Sequence, residues 1–230
     1  MNALFWKSLQ AMKHRKPRLA VLFILPIIYL YALYRSGLSQ VTILVFFPAT
    51  FTLFSSVIHF SMEDIIGSES ILATSISIQK IWLWNLIFIV ASGYVYSIIL
   101  LTAGTGLLNL VKGIGYFSLS VYDEMQFIAN LALCFAFLGA ATCHYADYSF
   151  GKQMTASVFA LIHLACPFVF LIWGSRLEVN QNSVWITLAT AVFIFLIAFI
   201  FIRNSNKEKL LMNTQKLMMA YNNTNNTIEE

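Results

Sequence analysis

Long apolar runs alternate with short polar interruptions along almost the whole chain. A helix needs about 20 residues to cross the hydrocarbon core of a bilayer. The pattern therefore predicts an all-α integral membrane protein with six transmembrane helices, at residues 19–34, 41–60, 81–101, 127–145, 153–173 and 184–202. The first run is short, but Arg18 and Arg35 at its ends can reach the headgroups and extend its usable length.

The segments that flank this six-helix domain have different compositions. Residues 1–18 place apolar side chains at helical spacing among several basic ones, which favours an amphipathic helix lying in the headgroup plane. A basic flank that only sets the topology is the alternative. Residues 203–230 form a predicted cytoplasmic tail, and its last residues, NNTNNTIEE, have the composition of a disordered end.

Two stretches inside the domain depart from the simple pattern. Residues 102–126 contain four glycines but are too apolar for a solvated loop, so we expect this connection to lie along the membrane interface or dip into it. Span four contains the small-residue patch Gly139-Ala140-Ala141-Thr142, which permits close helix packing.

Composition agrees with a membrane location. Of the 230 residues, 59% are hydrophobic and 10% are charged, whereas soluble domains carry about 25% charged residues. The three cysteines, Cys134, Cys143 and Cys166, all lie in apolar runs, so we interpret them as small packing residues and expect no disulfide framework.

The distribution of basic residues predicts the orientation. With six spans, both termini lie on the same side of the membrane. Eleven of the fourteen lysines and arginines fall in the segments on that side, and Arg35, Lys112 and Arg176 fall on the other. The positive-inside rule therefore places both termini in the cytoplasm of a multi-pass protein of the cell membrane.

The longest polar interruption of the first hundred residues after the amino-terminal arm lies at residues 59–85, between spans two and three. It contains the acidic residues Glu63, Asp64 and Glu69, followed by the phrase Glu69-Ser70-Ile71-Leu72-Ala73-Thr74-Ser75-Ile76-Ser77. Serines at 68 and 77 are suitable helix N-caps, so the stretch predicts a short helix, a turn and the start of span three.

This phrase, in this position of a six-span pattern, resembles the loop after the second span in permeases of the type-2 ABC exporter family, which have the type V fold. Ser75 stands where the family often has proline. The resemblance implies that the stretch is a cytoplasmic coupling helix that docks on an ATPase. Ile71, Leu72 and Ile76 would then be its apolar contacts, with Glu63, Asp64 and Glu69 near the rim.

Prolines interrupt spans one, two and five at Pro26, Pro48 and Pro167, and each removes a backbone hydrogen bond from its helix. The resemblance implies that these three spans line the dimer interface and the translocation path. It also implies two partners besides the lipid bilayer: a second permease copy, identical or paralogous, and a separate ABC ATPase subunit. No nucleic acid is expected.

We expect this chain to catalyse no reaction. It contains no Gly-x-x-x-x-Gly-Lys-Ser/Thr phosphate loop, so ATP and magnesium are expected in the partner ATPase, and no cofactor or metal in this chain. The pattern of an intramembrane serine protease, a Gly-x-Ser in one span and a histidine in another, is also missing.

One ionisable residue, His163, lies well inside span five. Such groups usually face a cavity or another helix, so His163 lines a substrate path or satisfies a neighbouring carbonyl. The sequence leaves both alternatives open.

The expected function is a permease subunit of an ATP-driven exporter and not an enzyme. Minimal permeases of the resembled family export hydrophobic or amphipathic compounds, including antimicrobial and cytolytic peptides such as phenol-soluble modulins. Export of lipid, polysaccharide, haem or drug is an alternative, as is a non-transporting accessory membrane subunit.

The orientation can be tested with single cysteines at Gly67 and Ser120, in a background with the three native cysteines replaced. In intact cells we expect an impermeant thiol reagent to label position 120 and to leave position 67 unlabelled, because only the former lies outside. Labelling in the opposite sense would invert the topology.

Overall fold

The computed structural model describes residues 16–59, 77–112, 119–145, 150–205 and 212. These residues are all-helical, with no strand among them. The main helices are α1 (Lys16–Arg35), α2 (Gln40–His59), α3 (Ile78–Lys112), α4 (Val121–Tyr145), α5 (Phe150–Trp173) and α6 (Gln181–Arg203), and a single 3₁₀ turn (Gly174–Arg176) follows α5. Most of the predicted amphipathic arm and tail, and all of the predicted coupling helix except Ser77, lie outside the described residues.

Three of these helices are long and apolar enough to cross a membrane, over Ile78–Gly106, Val121–Thr142 and Gln181–Arg203. The described parts of the other three contain shorter apolar stretches, Ile24–Arg35, Gln40–Ser56 and Leu161–Arg176. An all-helical protein with candidate membrane spans is thereby confirmed, whereas the full set of six spans stays a prediction.

The connection between α3 and α4 is shorter than expected. Helix α3 continues through Gly104 and Gly106 to Lys112, and α4 already begins at Val121, so much of the predicted 102–126 connection is helical. A Cβ on Gly104 would lie 2.9 Å from Leu30 Cδ2, so this glycine lets α1 approach α3. Ser120 starts α4 through reciprocal hydrogen bonds with Asp123. The Oδ2 atom of Asp123 accepts from the Ser120 amide at 2.9 Å and from its hydroxyl at 2.6 Å, and the Asp123 amide donates to Ser120 Oγ.

Two apolar cores hold the helices together. The first, which we call the aromatic cluster, joins α1, α2, α3 and α5 and comprises Leu30, Leu33, Leu38, Ile43, Phe47, Phe51, Leu101 and Phe170. The second joins α3, α4 and α6 and comprises Ile78, Ile81, Trp82, Leu86, Ile89, Val90, Tyr94, Cys134, Leu138, Ala198 and Ile202. Helix α2 packs against α3, α4 and α5, so it stands between the two cores.

Small residues set the closest approaches between helices. A Cβ on Gly139 would lie 3.3 Å from Trp82 Cζ2, and Ala141 is fully buried, so the predicted small-residue patch of α4 does pack closely, against α3. Trp82 Nε1 also donates to Thr142 Oγ1 of the same patch at 2.7 Å. The tightest approach is between α2 and α3, where a Cβ on Gly93 would lie 2.6 Å from Thr52 Cγ2.

Gly93→Ala should therefore destabilise the protein, because the new methyl group has no room against Thr52. We expect a loss of about 1–3 kcal/mol, the usual range for overpacking. Thermal unfolding in detergent would measure it.

Gly106→Ala is the matched control, since Gly106 lies in the same helix and a Cβ there meets nothing within 4 Å. This control should keep or slightly raise stability, because alanine is the better helix former. Equal effects of the two substitutions would contradict the close packing of α2 on α3.

Candidate functional site

The predicted site residues divide into two groups. The six residues of the proposed coupling helix, Glu63, Asp64, Glu69, Ile71, Leu72 and Ile76, lie outside the described part of the chain, and their role stays a prediction. Pro26, Pro48, His163 and Pro167 are all described, and all four are buried.

The structure brings the three proline-containing helices together. All three remain helical across their prolines. Tyr29 of α1 donates its hydroxyl proton to the carbonyl oxygen of Pro167 in α5, at 3.0 Å. Its ring stacks on Phe47 of α2 with centroids 5.7 Å apart. Helices α1, α2 and α5 therefore form one packed group, each with an interrupted hydrogen-bond ladder.

His163 lies on the inner side of α5 and faces α4. Its side chain is 1% exposed, and its ring centroid lies 5.5 Å from that of Phe137, at an interplanar angle of 58°. Among the described residues, no hydrogen-bond partner is within reach of its Nε2 atom. That nitrogen therefore satisfies no neighbouring carbonyl among them, which was one of the two roles expected for this residue.

Three other side chains have a buried oxygen that finds no hydrogen-bond partner among the described residues, and they lie on α1, α2 and α3. They are Thr52, which is fully buried, and the tyrosines Tyr34 and Tyr94. By contrast, the remaining buried hydroxyls of α2 and α3 donate to carbonyls of their own helices, as Ser56 Oγ does to Leu53 O at 2.6 Å. Unpaired polar groups are expensive in an apolar interior, so these positions are where a polar ligand group or water would find partners.

A second polar site, absent from the sequence-based predictions, lies where α2, α4 and α6 meet. Gln126 and Asn130 of α4 are 2% and 5% exposed. The Gln126 Nε2 atom donates to Asn130 Oδ1 at 3.0 Å and to Thr187 Oγ1 at 3.1 Å. The Asn130 Nδ2 atom in turn donates to the carbonyl oxygen of Val45 in α2, at 3.0 Å.

A sequence signal for this second site existed but was not used. Gln126 was placed outside span four, whereas the N-cap at Ser120 brings it into the second turn of α4. Because α4 starts at Val121, Gln126 lies inside a candidate span, four residues before Asn130. Amide side chains inside a span usually face other helices.

The described residues offer no arrangement suited to metal binding, since they contain no group of three or more His, Cys, Asp or Glu side chains close enough to hold an ion. Cys134 is buried and Cys166 is half-buried, and both are free thiols. What the described interior supplies is hydrogen-bonding side chains between helices.

Large apolar side chains cover the outer faces of α1, α5 and α6. On α1 and α5 the most exposed of them are Ile24, Ile27, Ile28, Tyr31, Leu161, Phe168, Ile172 and Trp173. A continuous apolar exterior is unfavourable in water and suits contact with lipid or with another membrane protein.

Comparisons with protein families, curated proteins and solved structures found no match to the chain.

His163→Leu tests whether the unpaired nitrogen has a partner in the folded protein. Leucine has a similar volume and removes a polar atom whose unsatisfied burial costs about 1–3 kcal/mol. The lost ring contact with Phe137 is worth about 0.5–1.5 kcal/mol, so thermal stability should stay the same or rise.

Thr142→Val is the control, because it removes a hydroxyl that does have a partner in Trp82. We expect it to lower stability by about 0.5–1.5 kcal/mol. A larger loss in His163→Leu than in this control would mean that a bound water or a residue outside the described part of the chain holds the histidine.

Proposed function

We propose that the chain is the permease subunit of an ATP-driven exporter of the cell membrane. It spans the membrane six times with both termini in the cytoplasm, pairs with a second permease copy and is driven by a separate ABC ATPase that binds ATP and magnesium. Its cargo is a hydrophobic or amphipathic compound, such as a cytolytic or antimicrobial peptide.

The grouping of the three proline-containing helices is the observation that best supports this proposal. Helices α1, α2 and α5 pack as one group, joined by the Tyr29–Pro167 hydrogen bond and by the aromatic cluster. Permeases of the resembled exporter family use the same three spans at their dimer interface and translocation path. The exposed apolar faces of α1 and α5 are compatible with such a pairing.

Helix lengths support six spans. Helices α1, α2 and α5 contain 20, 20 and 24 residues. At 1.5 Å per residue, each is about 30 Å or more in length, which matches the hydrocarbon thickness of a bilayer.

The position of the proposed coupling segment is also compatible with docking. Helix α2 ends at His59 and its neighbour α3 begins at Ile78, so the intervening residues join the same ends of two adjacent helices. With the termini inside, these ends face the cytoplasm, where an ATPase could bind.

An accessory membrane subunit that transports nothing is the alternative function. The aromatic cluster fills the space between α1, α2, α3 and α5 within a single chain, as it would in such a subunit. In an exporter, the translocation path would then lie between the two permease copies. A transport assay discriminates between the two functions, because the accessory subunit would transport nothing.

Leu72→Asp tests the coupling role. If residues 69–77 insert into a cleft of the ATPase, the substitution buries an unpaired charge there and should lower docking by several kcal/mol. We expect normal membrane insertion, loss of ATPase co-purification and loss of peptide export.

Glu69→Gln is the matched control, because a rim charge contributes less to affinity than a buried apolar anchor does. It should retain the ATPase and most of the export. If Leu72→Asp keeps its ATPase and exports normally, these residues are not the docking element and the exporter proposal loses its main local support.

A further inference from the structure

The side chains of the second polar site form a network of hydrogen bonds that links α4 to α2 and α6. Each proton on the Gln126 amide nitrogen has one acceptor, Asn130 Oδ1 or Thr187 Oγ1. Gln126 Oε1 lies 3.1 Å from the hydroxyl of Ser183, whose single proton it shares with the carbonyl oxygen of Asn180 at 2.8 Å. Thr187 donates its own proton to Ser183 O at 2.8 Å, which leaves its oxygen free to accept.

This pattern fixes the orientation of the Gln126 amide. If the amide were flipped, its oxygen would face Asn130 Oδ1, which is itself oriented by the bond from Asn130 Nδ2 to the carbonyl oxygen of Val45, and two acceptors would oppose each other. Because the group is buried between helices, this opposition is not relieved by solvent. The site therefore has one preferred arrangement.

The site joins α6 to α4 at the start of α6. Ser183 belongs to the capping box of α6: its amide donates to Asn180 Oδ1 at 2.9 Å, and its Oγ accepts from the Asn180 amide at 3.1 Å. The same hydroxyl contacts Gln126. The residues that begin α6 are thus also the residues that hold it against α4.

The other end of the chain of hydrogen bonds lies on α2, next to its weakest turn. Val45, whose carbonyl accepts from Asn130, precedes Pro48 by three residues. Pro48 has no N–H, so the carbonyl of Leu44 loses its ordinary helical donor and this turn of α2 is easier to bend. The bond from Asn130 attaches that turn to α4.

We propose that Gln126 and Asn130 form a clasp that couples the bend of α2 at Pro48 to the start of α6. In the clasped state the first halves of α2 and α6 are held to α4 as one unit. When the clasp opens, the turn before Pro48 and the first turn of α6 become free together. This device does not depend on the exporter proposal, because it follows from contacts within one chain.

Hydrogen exchange measured by mass spectrometry, on the full chain in lipid nanodiscs, tests the coupling. Thr187→Val removes the acceptor of a Gln126 proton, and the hydroxyl that it removes bonds to α4 and α6 but not to α2. We expect it to speed exchange in the peptide covering residues 45–52 of α2 about 2- to 10-fold, which corresponds to a net hydrogen bond of about 0.5–1.5 kcal/mol. Asn130→Leu, which removes the bond to Val45 directly, should have at least this effect.

Thr190→Val is the matched control. Thr190 lies one turn further along α6, is exposed, and donates only to Ile186 O of its own helix. It should leave exchange in α2 unchanged. Exchange in the peptide containing Phe168 and Trp173 of α5 should stay constant in all three variants, which separates the effect from general unfolding.

Two results would overturn the clasp. One is unchanged exchange in residues 45–52 for both Thr187→Val and Asn130→Leu. The other is an equal increase with Thr190→Val. If Asn130→Leu does not fold, Thr187→Val still decides the question, because it removes a single hydrogen bond to Gln126 and leaves both amides of the clasp in place.

Discussion

The packed interior between the described helices offers no water to pair with polar groups, and this constraint governs the arrangement of their side chains. Every buried hydroxyl or amide must find a partner within the protein or remain expensive. Most serines and threonines of α2 and α3 meet the requirement locally, by donating to carbonyls one turn earlier in their own helix. Such bonds satisfy the side chain but join no two helices.

Only a few side-chain hydrogen bonds among the described residues connect different helices, and they are therefore informative. Tyr29 joins α1 to α5, Trp82 joins α3 to α4, Gln79 joins α3 to α6, and the clasp joins α6 to α4 and α4 to α2. Apolar contacts are not directional, so these bonds and the close contacts at Gly93 and Gly139 help to specify which helices are neighbours.

The sequence predicted the helical segments and the turn between α1 and α2 well, because apolar runs of bilayer length and a glycine are strong signals. Gly37 indeed has a φ of 78° in that turn, where glycine is unstrained. The connection between spans three and four is shorter than the sequence indicated, for a physical reason. Gly104 and Gly106 suggest a loop, but neighbouring threonines bond to helix carbonyls and Leu30 packs against Gly104, so tertiary contact overrides the low helix propensity.

The candidate site was predictable only in part. Prolines are visible in sequence, and their helices were expected to act together, but which side chains join them depends on packing that no linear pattern encodes. Tyr29 is one of ten tyrosines, and nothing in its neighbourhood identifies it as the partner of Pro167. Gln126 was missed because the start of α4 was placed too late in the chain, and without it Asn130 was a single amide inside the predicted span.

The position of α2 explains why the contacts between helices act together. Its second half is fixed to α3 by the contact of Thr52 with Gly93, which leaves no space for sliding. Its first half touches the aromatic cluster through Phe47 and the clasp through Val45. Pro48 lies between the two halves, at the turn where the backbone ladder is interrupted. Any rearrangement that separates α1 and α5 from α4 and α6 must therefore change the contacts of the first half of α2. The helix bends most easily at Pro48, because the backbone hydrogen bond of that turn is already missing.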